Sequence, residues 1–432
     1  MKGIKLFEYI KWFGISSLVV SSYIFLGGFH VGPLSLRLLV SYGLLGYTFW
    51  RGWTEYGPTK GIKMYFVYLA FYIFISILNC KAFKFGFIKD LLVYHIVCCT
   101  AIFAFPRLFK TEASIWTAYI ALVLIFLFDA FVTYLQFVDS PLGWAIGMYI
   151  NPVRIEDLEE IQLYLNKEEF QAAILMGIMG NPVTNGYLVA TILPIVTCFI
   201  WGKFGLKMIW TVVMFVIAGV CVFVIQQRMA LVVTVFYLIT IFVLKLKEKN
   251  VSSMFFIIIA ATVLIGLSQS IDISKIGRLG SVEEGEYRMG TMAVLIDFVS
   301  SPRQLLLGYK GVGSFVDLYV FRTMGHNTFL DALRRGGIFL LLVYIVLFFR
   351  LCRELVGIVR FSHREKDYRT LGMALGCLCF LLYSQTHSAG VQTGSIMFWT
   401  LFMLTIQSHR VKCASLSNHK MQKCGKGCQL KS

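Results

Sequence analysis

The run Leu307-Gly308-Tyr309-Lys310-Gly311-Val312-Gly313-Ser314-Phe315 and, beyond it, Gly325-His326-Asn327-Thr328-Phe329-Leu330-Asp331 hold the residues best suited to chemistry. Glycines at this density let a backbone turn tightly and bring its amides close to a ligand. Gly311 and Gly313 beside Lys310 therefore suit an anionic group. His326 is of the one side-chain type that both gives and takes a proton near neutral pH. It stands at the start of an apolar helix, supported by Asn327, and the first turns of that helix carry Asp331, Arg334 and Arg335. A lone histidine at a membrane edge is ordinarily a structural hydrogen-bonder, but the glycines and cations around this one favour a general base.

The cations point the same way. Arg228 closes Gln226-Gln227-Arg228, which ends one apolar run and opens the next with almost no loop, so it sits at a membrane boundary. There it either snorkels to headgroups or clamps a phosphate with its planar, forked donors. Arg278, Arg288, Arg303, Lys310 and Arg322 lie close to the glycine-rich turn and suit a pyrophosphate. The glycines alone are a weak signal: they lack the strand-to-helix setting of a dinucleotide fold and the Lys-Ser/Thr ending of a P-loop. Asp129 within an apolar run, and Lys89, Asp90 and His95 near another, are read as internal pairs, or else as a transporter's relay. No outer Asp-x-Asp motif or Cys/His cluster offers metal ligands. Cys424-Gly-Lys-Gly-Cys428 with His419 fits no zinc spacing and is read as a loose, reduced tail.

The elements that must position these residues are membrane helices. The chain has 432 residues, of which 58% are hydrophobic and 15% charged, with mean hydropathy +0.74. A soluble domain with a polar surface does not reach such values. Apolar segments recur along the whole chain at the length of roughly 20 residues that a bilayer requires of a helix, without the alternation of a β-barrel. The expected fold is an all-α integral membrane protein, one domain over 1–432. About twelve spans are expected by that length criterion, beginning near Trp12, Leu34, Ile62, Phe87, Ile115, Asn185, Leu206, Met229, Ser253, Ile338, Thr370 and Ser395.

Two long connections interrupt the bundle. The insert over 139–170 contains Arg154 to Leu165, whose apolar spacing predicts a short amphipathic helix on the membrane. The insert over 272–337 carries the glycine and histidine motif. The first insert to Phe170 has seven acids and two bases, and the stretch from Asp272 to Gly325 has six of each. Removing both leaves 32 bases against 10 acids in the rest of the chain. Basic residues concentrate in short cytoplasmic loops, so both termini, including the basic tail over 409–432, are expected inside and both inserts outside. The net charge of +17 is thus a topology signal with anionic-lipid contact as a by-product, and it needs no nucleic-acid partner. Neither insert contains cysteine, so no disulfide framework is expected. The first span is expected to be retained, because no convincing small-residue cleavage site follows it.

The order Arg288, Asp297 to Pro302, Gly308 to Phe315, His326-Asn-Thr-Phe-Leu-Asp-Ala-Leu333 and Gly336-Gly-Ile338 resembles the signature region of the O-antigen ligase and O-antigen polymerase superfamily. The large outer loop ahead of the histidine is similar too. Met292 and Arg334-Arg335 depart from that pattern, the latter standing where an acidic or neutral pair is common. The resemblance implies a GT-C-type glycosyltransferase on the periplasmic face of the bacterial inner membrane. It would take glycan from an undecaprenyl-diphosphate carrier, with no cofactor and no metal, alongside a flippase and a chain-length regulator. On that reading His326 is the base, and Arg228, Arg288 and Arg278 hold the diphosphate. A polymerase is preferred to a ligase. A polytopic transporter and a non-catalytic assembly partner are the readings from other classes.

Overall fold

In a computed structural model, the residues described are 2–26, 28–31, 34–51, 57–79, 87–88, 90–151, 176–180, 182–202, 206–225, 228–247, 300–309, 327–385 and 394–429. The chain is an all-α membrane protein. Its only described sheet is a two-residue hairpin, β1 (His30–Val31) against β2 (Leu34–Ser35), joining α1 (Lys2–Ile24) to α2 (Leu36–Arg51). The helices that follow are α3 (Lys60–Leu78), a π-helical turn Asp90–His95 running into α4 (Ile96–Leu108), α5 (Glu112–Phe137) and α6 (Pro141–Ile150). Then come α7 (Pro182–Val196), α8 (Leu206–Ile225), α9 (Arg228–Lys247), the short α10 (Pro302–Leu307), α11 (Thr328–Arg364), α12 (Tyr368–Tyr383) and α13 (Ile396–Gln429).

Helices cover or begin within a few residues of the expected starts that are described, with Leu34 itself in β2 and Ser253 outside the described residues. Among the described residues four helices are both long and apolar enough to cross a membrane: Lys60–Leu78, Asp90–Leu108, Glu112–Phe137 and Thr184–Trp201. Side chains mark the ends. Thr111 and Ser114 form a reciprocal capping box at the start of α5, which satisfies amide groups that a first helical turn leaves without partners. Asp367 caps α12 by accepting from Thr370 N–H at 3.4 Å.

One expectation changes. The segment from Ser408, read as a loose tail, continues α13 as helical backbone to Gln429. It has no proline to stop it and is rich in helix formers such as Lys, Gln and Met. The insert beginning at Asp139 opens with a helix, α6, folded back on α5. Asp139 makes that turn with φ +55°, a left-handed conformation that Asp tolerates better than most residues. Its carboxylate accepts from Trp144 Nε1 at 3.0 Å. The amphipathic helix expected near 154–165 lies outside the described residues.

The core runs through α1 against α5, α7 against α12, and α11 against both α3 and α12. Small residues permit the closest approach: a Cβ at Gly376 of α12 would stand 2.5 Å from the Thr191 carbonyl of α7. Trp399, Tyr65, Tyr68, Tyr187 and Tyr344 are fully buried where these helices meet.

Candidate functional site

The beginning of α11 is built as a separate half-helix. Asn327 caps it, its Oδ1 accepting from Phe329 N–H at 2.9 Å and Leu330 N–H at 3.2 Å. The helical path then breaks at Gly336 and Gly337, the latter with φ +67°, and resumes as the long apolar stretch. Thr328 to Arg335 is therefore a short piece set at an angle to the span that follows it.

The glycine-rich segment docks on this half-helix. Tyr309 N–H donates to the Arg334 carbonyl at 2.8 Å. Gly308, at φ +79°, lies so close that a Cβ there would stand 2.7 Å from the same carbonyl. A Cβ on Gly337 would collide with the Leu306 carbonyl. Each glycine thus occupies a left-handed conformation and a gap with no room for a side chain. From α3, Asn79 Nδ2 donates to the Leu307 carbonyl at 2.6 Å.

Beneath this joint lies a lattice of charge. Asp331 is wholly buried. Its Oδ1 accepts from Arg334 Nε at 3.1 Å, and its Oδ2 accepts from Arg335 Nε at 2.7 Å. Arg335 reaches on through Nη1 to Asp90 Oδ2 at 3.2 Å and Tyr72 Oη at 3.4 Å. Its guanidinium also lies over the Tyr72 ring, 6.0 Å from the centroid. Two carboxylates and two guanidiniums balance in charge, and their hydrogen bonds offset the cost of removing them from water. Asp90 begins the π-helical turn, which ends at the buried His95. His95 Nδ1 is 2.8 Å from Tyr65 Oη.

A second buried carboxylate, Asp129, sits within α5 and is met differently. Its Oδ1 accepts from Ile178 N–H at 3.0 Å. With its amide nitrogen turned toward the carboxylate, Asn185 donates to Asp129 Oδ2 at 2.7 Å, and its oxygen accepts from Thr133 Oγ1 at 3.1 Å. Gln136 completes the group, its Oε1 accepting from Gly177 N–H at 2.9 Å. Among the described residues Asp129 has no ion-pair partner.

Of the residues singled out in the sequence, Asn327 is the helix cap. Arg228 is the first residue of α9, separated from the end of α8 by two residues, and its side chain is not described. His326, Lys310, Gly311, Gly313, Arg278 and Arg288 lie outside the described residues, although Lys310 directly follows Tyr309 and His326 directly precedes Asn327. Asp90 pairs with Arg335, as expected of an internal pair, whereas Asp129 is held by the Ile178 backbone amide and the Asn185 side-chain amide. Sequence reasoning missed the parts played by Asn79, Tyr72 and Gln385, whose main-chain carbonyl accepts from Asn327 Nδ2 at 2.8 Å, and only the i, i+3 and i, i+4 spacing from Asp331 to Arg334 and Arg335 announced the lattice. Among the described residues no three His, Cys, Asp or Glu side chains gather to hold a metal ion. The chain matches no protein-family model and no curated protein.

Proposed function

We propose that this chain is a membrane glycosyltransferase of the GT-C kind, a polysaccharide polymerase. It moves glycan from an undecaprenyl-diphosphate carrier to a lipid-linked acceptor at the periplasmic face of the inner membrane. One observation carries the reading: the glycine-rich segment and the half-helix that follows His326, well separated in sequence, are joined by the Tyr309–Arg334 hydrogen bond. Asn327 and Arg334 are seven residues apart on that half-helix, about 10 Å at the helical rise. Lys310 directly follows Tyr309 in sequence, and His326 directly precedes Asn327.

The chemistry follows from the residue types. The acceptor hydroxyl attacks the anomeric carbon, His326 takes the hydroxyl proton, and the diphosphate departs with the electron pair of the broken bond. Arg228, Arg288 and Arg278 bind the charge that develops on it. Attack opposite the leaving group inverts the anomeric centre. Deleting the gene tests the assignment. Loss of a polymerase leaves lipid A core capped by a single repeat, whereas loss of a ligase leaves bare core and accumulated lipid-linked polymer.

A transport reading draws on Asp129, a carboxylate buried eight residues before the end of α5, about 12 Å along the helix axis. An unchanged glycan profile in the deletion strain would favour it.

A further inference from the structure

We propose that Asp129 and Asn185 form a proton-binding site inside the membrane, in which one proton on the Asp129 carboxyl sets the direction of the hydrogen bonds around it. The inference is independent of the proposed transfer reaction and of the residues assigned to it. Asp129 lies in α5, one of the helices long and apolar enough to cross a membrane. It is fully buried, as are Thr133, Gln136 and Asn185 around it. Cys221 of α8 is the titratable side chain that faces it. Among the described residues, the other elements packed on α5 bring it no charge: α7 presents Asn185 and the turn at 176–180 presents main chain.

Two bonding patterns fill the same atom positions. With the carboxyl ionised, Asn185 Nδ2 donates to Asp129 Oδ2 at 2.7 Å and to Oδ1 at 3.2 Å, and the amide oxygen accepts from Thr133 Oγ1 at 3.1 Å and Gly177 N–H at 3.2 Å. With the carboxyl protonated, the amide is turned over. The Oδ2 hydroxyl then donates to Asn185 Oδ1 across the same 2.7 Å, and Asn185 Nδ2 donates to Thr133 Oγ1 at 3.1 Å. Ile178 N–H donates to Asp129 Oδ1 and Gly177 N–H to Gln136 Oε1 in both. Neither pattern leaves the carboxyl or the amide without a partner. A carboxylate at membrane depth with no cation beside it is costly, whereas the neutral acid is not. The protonated pattern is therefore the resting one at neutral pH.

The site is closed by main chain rather than by charge. A Cβ at Gly177 would collide with Asp129 Oδ1, Asn185 Nδ2 and Thr133 Oγ1, so this residue lies directly over the three side chains. Gln136 holds it from both ends, its Oε1 accepting from Gly177 N–H at 2.9 Å and its Nε2 donating to the Gly177 carbonyl at 3.3 Å. Only the bond from Gly177 N–H to Asn185 depends on the proton. Losing the proton adds that bond, and gaining it removes it.

The test uses the full-length chain in detergent, labelled with 13C-aspartate and read by infrared absorption. At about pH 7, far above the ordinary range of an aspartate, the wild type should still show the carbonyl band of a hydrogen-bonded carboxylic acid. The label should shift this band, and Asp129→Asn, which keeps the shape and puts an amide donor where the proton sits, should abolish it. Asp331→Asn should leave it in place. Raising the pH should exchange the band for carboxylate absorption while circular dichroism shows the helices intact. Asn185→Leu removes the donor that favours the ionised form, so the band should survive to a higher pH. The absence of an acid band at neutral pH, a band that remains in Asp129→Asn, or one that persists at every alkaline pH at which the chain stays folded overturns the proposal. Wild-type glycan from a His326→Ala strain would remove the proposed transfer reaction and leave this reading untouched.

Discussion

Among the described residues two aspartates are fully buried, and they are stabilised in opposite ways. Asp331 keeps its charge company: Arg334 and Arg335 grip both carboxylate oxygens, and Arg335 carries the lattice on to Asp90 and Tyr72. Asp129 is met by the Ile178 amide and the Asn185 side chain, with Thr133 and Gln136 behind them. The first arrangement joins three elements that sequence separates: the half-helix of α11, the π-helical turn and α3. The second stitches the irregular turn at 176–180 to α5, where a bare backbone at membrane depth would otherwise have unpaired groups. A charge lattice makes a stiff joint that fails sharply when one member is lost, whereas an amide network tolerates rearrangement, because an amide can turn over. The stiff joint belongs to the half-helix that His326 precedes in sequence.

Substitutions test that contrast, and the largest effect belongs to Asp331. Asp331→Ala leaves two half-buried guanidiniums with no carboxylate between them and should cost about 3–5 kcal/mol, read as a lower melting temperature and poor accumulation in the membrane. Asp331→Asn should fall between this variant and the wild type. An Asp331→Ala protein that melts like the wild type would mean that the lattice holds nothing together.

Next in size is Gly337→Ala, which forces a side chain into a left-handed conformation against the Leu306 carbonyl and should cost about 1–3 kcal/mol. Gly357→Ala, on an exposed face of the same helix with open space around it, is the control. It should stabilise by about 0.5–1 kcal/mol. Equal effects at the two glycines would show that the kink carries no structural demand.

The smallest effect is expected at the other aspartate. In Asp129→Asn the new amide oxygen still accepts from Ile178 N–H, and Asn185 turns to accept from the new amide nitrogen. The change should stay within about 1 kcal/mol, the value of one ordinary hydrogen bond, with glycan transfer preserved. Abolished solute flux in vesicles, with glycan unaffected by any variant, would reverse the ranking of the two regions and favour transport.

Legibility in the sequence followed the range of the interaction. Helix positions were readable from apolar runs of sufficient length, and the joint between α8 and α9 at Gln226-Gln227-Arg228 from the lack of loop residues. Asp331 with Arg334 and Arg335 was visible because helical spacing puts them on one face. By resemblance the two arginines were a departure from a familiar pattern, yet here they are the partners that make a buried Asp331 tolerable. The ties from Asn79 to Leu307, from Gln385 to Asn327 and from Asp129 to Asn185 span long stretches of chain. Nothing local in the sequence encodes such pairings. The helical course of the tail was hidden by its glycines and small polar residues, whose weak helix preference the continuing α13 overrides.

The central claim is that His326 drives transfer of glycan from a lipid diphosphate, and its most direct test is turnover by the purified full-length chain. Detergent-solubilised protein would be supplied with an undecaprenyl-diphosphate-linked repeat in excess chelator, and chain extension followed with time. The account predicts extension by the wild type under chelation, and none by a His326→Ala protein that is folded and equally abundant. Extension by His326→Ala at the wild-type rate, or wild-type extension that stops under chelation and returns with a divalent ion, would contradict it.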